Sequence, residues 1–116
     1  MMKARRFLTK GSLLVVAGGL FVASSAIAQD AKAAFDKNCV ACHGAAGKGD
    51  GPAAKMLKPP PTDFATALKG QSDADIAKVI KEGGKAVGKS PSMPPYGSKM
   101  SDDQIKGLVD YVKGLK

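Results

Sequence analysis

Cys39-Val40-Ala41-Cys42-His43 decides how this chain is read. The chain of 116 residues has two cysteines and one histidine, and all three fall in this pentapeptide. In a helical turn, positions i, i+3 and i+4 share one face. The spacing therefore brings two thiols and an imidazole to the same side. Two cysteines are too few for a disulfide-rich scaffold. A structural zinc site takes four ligands, and no further Cys or His exists here to complete one. A redox-active dithiol belongs in a βαβ setting, and a disulfide across two residues leaves His43 without a role.

What remains is C-x-x-C-H, the attachment motif for c-type haem. Cys39 and Cys42 then form thioethers to the two vinyl groups on one porphyrin edge, and His43 gives a nitrogen to the iron. Covalent attachment keeps one haem c on the chain in a dilute compartment.

Outward from the motif the pattern is helical, with no alternating strand pattern. Ala31, Ala34 and Phe35 are spaced for one face of a helix that Asp30 caps and that runs towards Cys39. Ser72 caps a second helix, with Ile76, Val79 and Ile80 on its apolar face and Gly83-Gly84 as its stop. Ser101-Asp102-Asp103-Gln104 is a capping box that opens a third. There Ile105, Leu108, Val109, Val112 and Leu115 follow the helical period. The connectors between are rich in Gly and Pro, which forces long irregular loops around short helices.

The start of the chain carries Lys3, Arg5, Arg6 and Lys10, then no charge from Gly11 to Ala28. It ends in the small-x-small pattern Ala26-Ile27-Ala28. This is the layout of a secretory signal peptide cleaved after Ala28. The competing reading is an uncleaved anchor, with contact to a membrane only in that case. Arg5-Arg6-Phe7-Leu8 also resembles a twin-arginine signal. Haem is attached to chains that are still unfolded, so the general secretory route ranks above that folded-cargo route. The expected division is a cleaved signal peptide at 1–28 and one domain at 29–116, located in the periplasm.

Removing residues 1–28 lowers the formal charge from +8 to +4, because four basic residues and no acid leave. An exported chain of that charge meets no genome, so a nucleic-acid partner is excluded. The remaining 88 residues have only Phe35, Phe64, Tyr96 and Tyr111 as aromatics. So thin a core needs a staple, and a large apolar porphyrin plate supplies one. The haem-free chain is expected to be largely unfolded.

Together these residues resemble a small monohaem class I cytochrome c, bacterial and exported, over essentially all of 29–116. The resemblance implies an all-α fold of short helices wrapped around one covalent haem, with the first and last helices crossing. Phe35, four residues before Cys39, and Leu108 with Tyr111 match the family's crossing residues. At the crossing, Ala31 or Ala34 stands where the family often has Gly, and Gly107 gives clearance from the other helix.

The iron needs a sixth ligand, and with no second His a methionine is the candidate. Met93 lies in Met93-Pro94-Pro95-Tyr96, similar to the family's distal-ligand loop. Met100 has another use, as an apolar staple beside the Ser101 cap. Met56 reads as a packing residue near the ring. The resemblance also assigns a proline carbonyl after the motif, here Pro52, to the second nitrogen of His43. Lys58-Pro59-Pro60-Pro61-Thr62-Asp63-Phe64 resembles a segment that passes beneath the haem in some relatives.

Gly83 to Ser90 is a literal G-x-x-x-x-G-K-S match to the phosphate-binding loop. It lacks the strand before and the helix after, so no nucleotide is expected. Lys78, Lys81, Lys85, Lys89 and Lys99 flank the Met93 side, with Lys48, Lys55 and Lys58 after His43. They would steer acidic redox partner proteins into transient complexes. The first functional reading is an electron carrier and not an enzyme. The alternatives are a gas-binding or peroxidatic haem protein with a labile distal ligand, and a thiol-disulfide oxidoreductase using Cys39 and Cys42.

Overall fold

The computed structural model describes Gly18 and residues 23–115. The basic start of the expected export signal lies outside the described residues. Five α-helices follow in order: α1 (Ala23–Asn38), α2 (Val40–His43), α3 (Phe64–Ala67), α4 (Asp73–Glu82) and α5 (Asp102–Gly114). Tight 3-10 turns occupy Ala54–Met56 and Lys85–Val87, and no strand occurs among the described residues. The all-α expectation holds.

Helix α1 starts earlier than the sequence implied. Asp30 does not cap it but sits exposed within it. The run Ala26-Ile27-Ala28-Gln29 contains no Gly or Pro to stop the helix upstream. The point after Ala28 therefore falls inside α1.

The other two caps form as the sequence requires. The Ser72 hydroxyl accepts from the Asp75 amide, and the Asp75 carboxylate accepts from the Ser72 amide. Ser101 and Gln104 make the same reciprocal pair at the start of α5. Each box satisfies two amides that have no partner inside the helix.

Helix α5 is the hub, packing against both α1 and α4. Its apolar face buries Ile105, Leu108, Val109 and Val112. Opposite them α1 buries Ala31 and Phe35, one helical turn apart. The close approach falls at Gly107, where a Cβ would lie 3.6 Å from the Cβ of Ala31. Ala31 is thus the small residue facing Gly107, and Ala34 is only half-buried.

Helices α4 and α5 are tied at both ends by exposed ion pairs. Lys81 in the last turn of α4 meets Asp102 in the first turn of α5 at 2.8 Å. Lys113 and Asp73 close the other end at 2.5 Å. Each charge sits at the helix end whose dipole favours it. Both pairs are open to water, so they set register more than they add stability.

Candidate functional site

The motif begins where α1 ends. The Cys39 amide still bonds the Phe35 carbonyl at 2.8 Å. The next turn is separate: His43 and Gly44 donate to Cys39 and Val40, and Gly44 stops α2 with φ +79°. The chain then folds back. Gly49 donates to the His43 carbonyl at 2.8 Å, Gly51 to Cys42 at 3.2 Å and Ala53 to Ala41 at 2.8 Å. This loop grips the pentapeptide by its own carbonyls and leaves the side chains of Cys39, Cys42 and His43 to face elsewhere.

They face a cavity of about 290 Å³, at the lower end of the roughly 300–1,000 Å³ typical of cofactor sites. Cys39, Cys42, His43 and Met93 all line it, as do Tyr96 and Met100. The rest of the lining is mainly apolar, with Pro59-Pro60-Pro61, Leu68, Ile76 and Val79 among it. The Lys58–Phe64 segment therefore does border the site.

Met56 does not. It is 79% exposed and absent from the lining, so it is not a packing residue near the ring. Its 3-10 turn buries Ala54 instead and turns Met56 to solvent. Met100 is half-buried against the core cluster as well as lining the cavity. Among the three methionines after residue 28, geometry leaves Met93 and Met100 within the cavity.

The Met93 loop is fastened to α4 through the backbone. Gly84 donates to the Met93 carbonyl, Tyr96 to Ile80 and Gly97 to Lys81, each at 3.0 Å. The Gly83–Ser90 stretch is thus one wall of this loop. A helix precedes it and Pro91 follows, with no strand or following helix for phosphate binding.

A row of aromatic rings joins the helix crossing to His43. Tyr111 on α5 lies 5.2 Å from Phe35, Phe35 lies 6.3 Å from Phe64, and Phe64 lies 5.0 Å from the His43 ring. Phe64 is pinned at its amide by the Gly47 carbonyl at 2.8 Å. The sequence places Phe64 among the few core aromatics and in the Lys58–Phe64 segment, but its contact with the His43 ring has no spacing signature. Tyr96, a core aromatic and the residue after Pro94-Pro95 in the sequence, likewise gives no sign there of its place beside the cavity.

Two side-chain environments bear on chemistry. Burial pushes the Cys39 thiol up to about 11, with Cys42 adding to the shift. A redox-active dithiol needs a depressed thiol, so the oxidoreductase reading loses support. Burial lowers His43 below the usual imidazole range, which keeps the ring neutral and its lone pair free. His43 Nδ1 is buried without a hydrogen-bond partner, at a cost of about 1–3 kcal/mol. The expected bond from His43 to the Pro52 carbonyl is therefore not made; the Pro52 loop folds onto the motif through Gly51 and Ala53 instead.

Two unpaired thiols, a neutral imidazole and a thioether around one apolar cavity fit a haem bound by Cys39, Cys42 and His43. Comparisons agree. A family model described as cytochrome c matches residues 28–116. Cytochrome c-551 of Pseudomonas aeruginosa is 36% identical over 107 residues, 90% of this chain and 94% of that protein. Cytochrome c-553 of Helicobacter pylori is 31% identical over 104 residues, 90% of this chain and 97% of that protein. A solved chain of the Kuenenia stuttgartiensis reducing HAO-like protein complex Kustc0457/Kustc0458 is 27% identical and superposes with a TM-score of 0.64 over 84% of this chain and 47% of its own. The chain belongs to the cytochrome c family, as a small haem electron carrier with one covalently bound haem c and its iron.

Proposed function

We propose that this protein shuttles single electrons between redox proteins in the periplasm, after export by an N-terminal signal peptide, with His43 and Met93 as the axial ligands of its haem iron. The observation that carries the reading is the presence of Cys39, Cys42, His43 and Met93 in the lining of one apolar cavity. When bound, the haem supplies a one-electron iron couple.

Everything else falls to the chain. Cys39, directly after α1, and Cys42 would hold the haem covalently. His43, neutral and flanked by Phe64, presents a nitrogen in a fixed orientation. Met93 comes from a loop held by three backbone hydrogen bonds to α4 and its end. Ligands that stay put in both oxidation states keep rearrangement small, which suits transfer of an electron and needs no general base or nucleophile.

The partners are redox proteins, and their docking faces are acidic. Lys48, Lys55, Lys58, Lys78, Lys85, Lys89 and Lys99 are all exposed. Lys89 also borders the cavity, whereas Lys81 is engaged with Asp102. Among the described residues no helix is long and apolar enough to cross a membrane.

Absorption spectra of the ferric and ferrous holoprotein test the ligand set. Wild type and Met100→Ala should show low-spin, methionine-ligated iron, and Met93→Ala should lose it. A Met93→Ala protein with an unchanged spectrum contradicts the assignment. Rapid carbon monoxide binding to the wild-type ferrous protein would favour the gas-binding alternative.

A further inference from the structure

The Met93 loop is attached on two sides, and the two attachments differ in kind. Towards α4 it is held by backbone bonds from Gly84, Tyr96 and Gly97. Towards the cysteine motif, the one hydrogen bond among the described residues is made by a side chain. The Tyr96 hydroxyl donates to the Asn38 carbonyl at 3.0 Å, across 58 positions of sequence.

Its acceptor is a group that needs a partner. Asn38 is the last residue of α1, and carbonyls at a helix C-terminus have no amide within the helix. The Cys42 amide, which would have continued the ladder, bonds Cys39 instead. The Asn38 side chain turns back to the Ala34 carbonyl and does not serve. The hydroxyl of Tyr96 fills this place one residue before Cys39. The ring itself is half-buried, borders the cavity and lies under the Lys99 ammonium at 5.8 Å.

We propose that Tyr96 is a positioning residue that latches the Met93 loop to the end of α1 and so governs how readily Met93 yields its place on the iron to a small exogenous ligand. This rests on Met93 being the distal ligand. With the latch made, opening the loop breaks a hydrogen bond and exposes an orphan carbonyl. Without it, the loop swings on its α4 attachments alone. Tyr96→Phe removes only the hydroxyl and keeps the ring, its packing and its contact with Lys99.

The test is imidazole titration of the ferric holoprotein and carbon monoxide mixing with the ferrous form, in wild type, Tyr96→Phe, Tyr111→Phe and Met93→Ala. Tyr111 has no hydroxyl hydrogen bond among the described residues, so Tyr111→Phe controls for loss of a phenol in general. Tyr96→Phe should keep the resting wild-type spectrum yet bind imidazole about 3- to 10-fold more tightly, the range set by one intramolecular hydrogen bond. Carbon monoxide should enter faster by a similar factor, and Tyr111→Phe should stay within twofold of wild type. Tyr96→Phe within twofold of wild type overturns the latch, as does an equal gain in Tyr111→Phe. Met93→Ala binding no more tightly than wild type overturns the ligand assignment itself, and its resting spectrum tells that failure from the first. Thermal midpoints on the same samples separate a loosened loop from an unfolded domain.

Discussion

The Gly84 amide donates to the Met93 carbonyl at 3.0 Å, so a residue just past α4 holds the backbone of the Met93 loop. Only glycine fits there. A Cβ at Gly84 would stand 2.0 Å from the Ser90 carbonyl oxygen, which is backbone and cannot step aside. Its φ of −64° suits any residue, so the obstacle is space alone. Gly84→Ala should push the loop outward and cost about 1–3 kcal/mol, the usual range for overpacking. Denaturant midpoints of the holoprotein should fall, and the methionine-to-iron absorption band should weaken.

The helix crossing gives a prediction of the opposite sign. A Cβ at Gly107 would meet the Ala31 Cβ at 3.6 Å, an ordinary contact. Gly107→Ala should therefore be stabilising by up to about 0.8–1 kcal/mol, through helix propensity. Gly107→Leu has no such room, and should separate α1 from α5 at a cost of about 1–3 kcal/mol. Thermal unfolding of the two holoproteins checks both signs.

Phe35 is wholly buried and stands between Tyr111 and Phe64. Phe35→Ala should cost about 3–5 kcal/mol. For residues 29–116, a total stability of roughly 0.05–0.15 kcal/mol per residue leaves little to spare. The variant should melt far below wild type, and Phe35→Leu should lose markedly less.

Contiguity explains what was legible in the chain. Cys39 to His43 are neighbours, so their chemistry reads directly as a motif. Ser72 and Ser101 each act within one helical turn, so their caps were legible too. The start of α1 was not: Asp30 is a good cap residue, but the helix-compatible run before it outweighs that preference. Contacts between distant segments leave no spacing to read. Phe64 against His43 and Tyr96 against Asn38 appear only once the chain is folded. Met56 misled because closeness to the motif in sequence is not closeness to the cavity.

Lysine docking predicts a salt dependence. Electron transfer to an acidic partner should slow steeply as ionic strength rises, since exposed charges are screened within about 10 Å at 0.1 M. Lys89→Glu should slow it several-fold at low salt and match wild type at high salt. A wild-type rate that ignores salt contradicts the docking surface.

The cavity borders Phe35, Phe64, Leu108 and Val112, the same residues that form the core. Removing the plate that fills it deprives these side chains of contacts on one side. The haem-free Cys39→Ala/Cys42→Ala double variant should show no cooperative thermal transition by circular dichroism, whereas the holoprotein should show one.

Haem staining of a denaturing gel tests the central claim, that one haem is bound covalently through Cys39 and Cys42. The chain is produced in cells that also load haem onto a second c-type cytochrome. The wild-type polypeptide should carry the stain through denaturation, and the Cys39→Ala/Cys42→Ala double variant should not. A colourless wild-type band beside a stained second cytochrome would contradict the account.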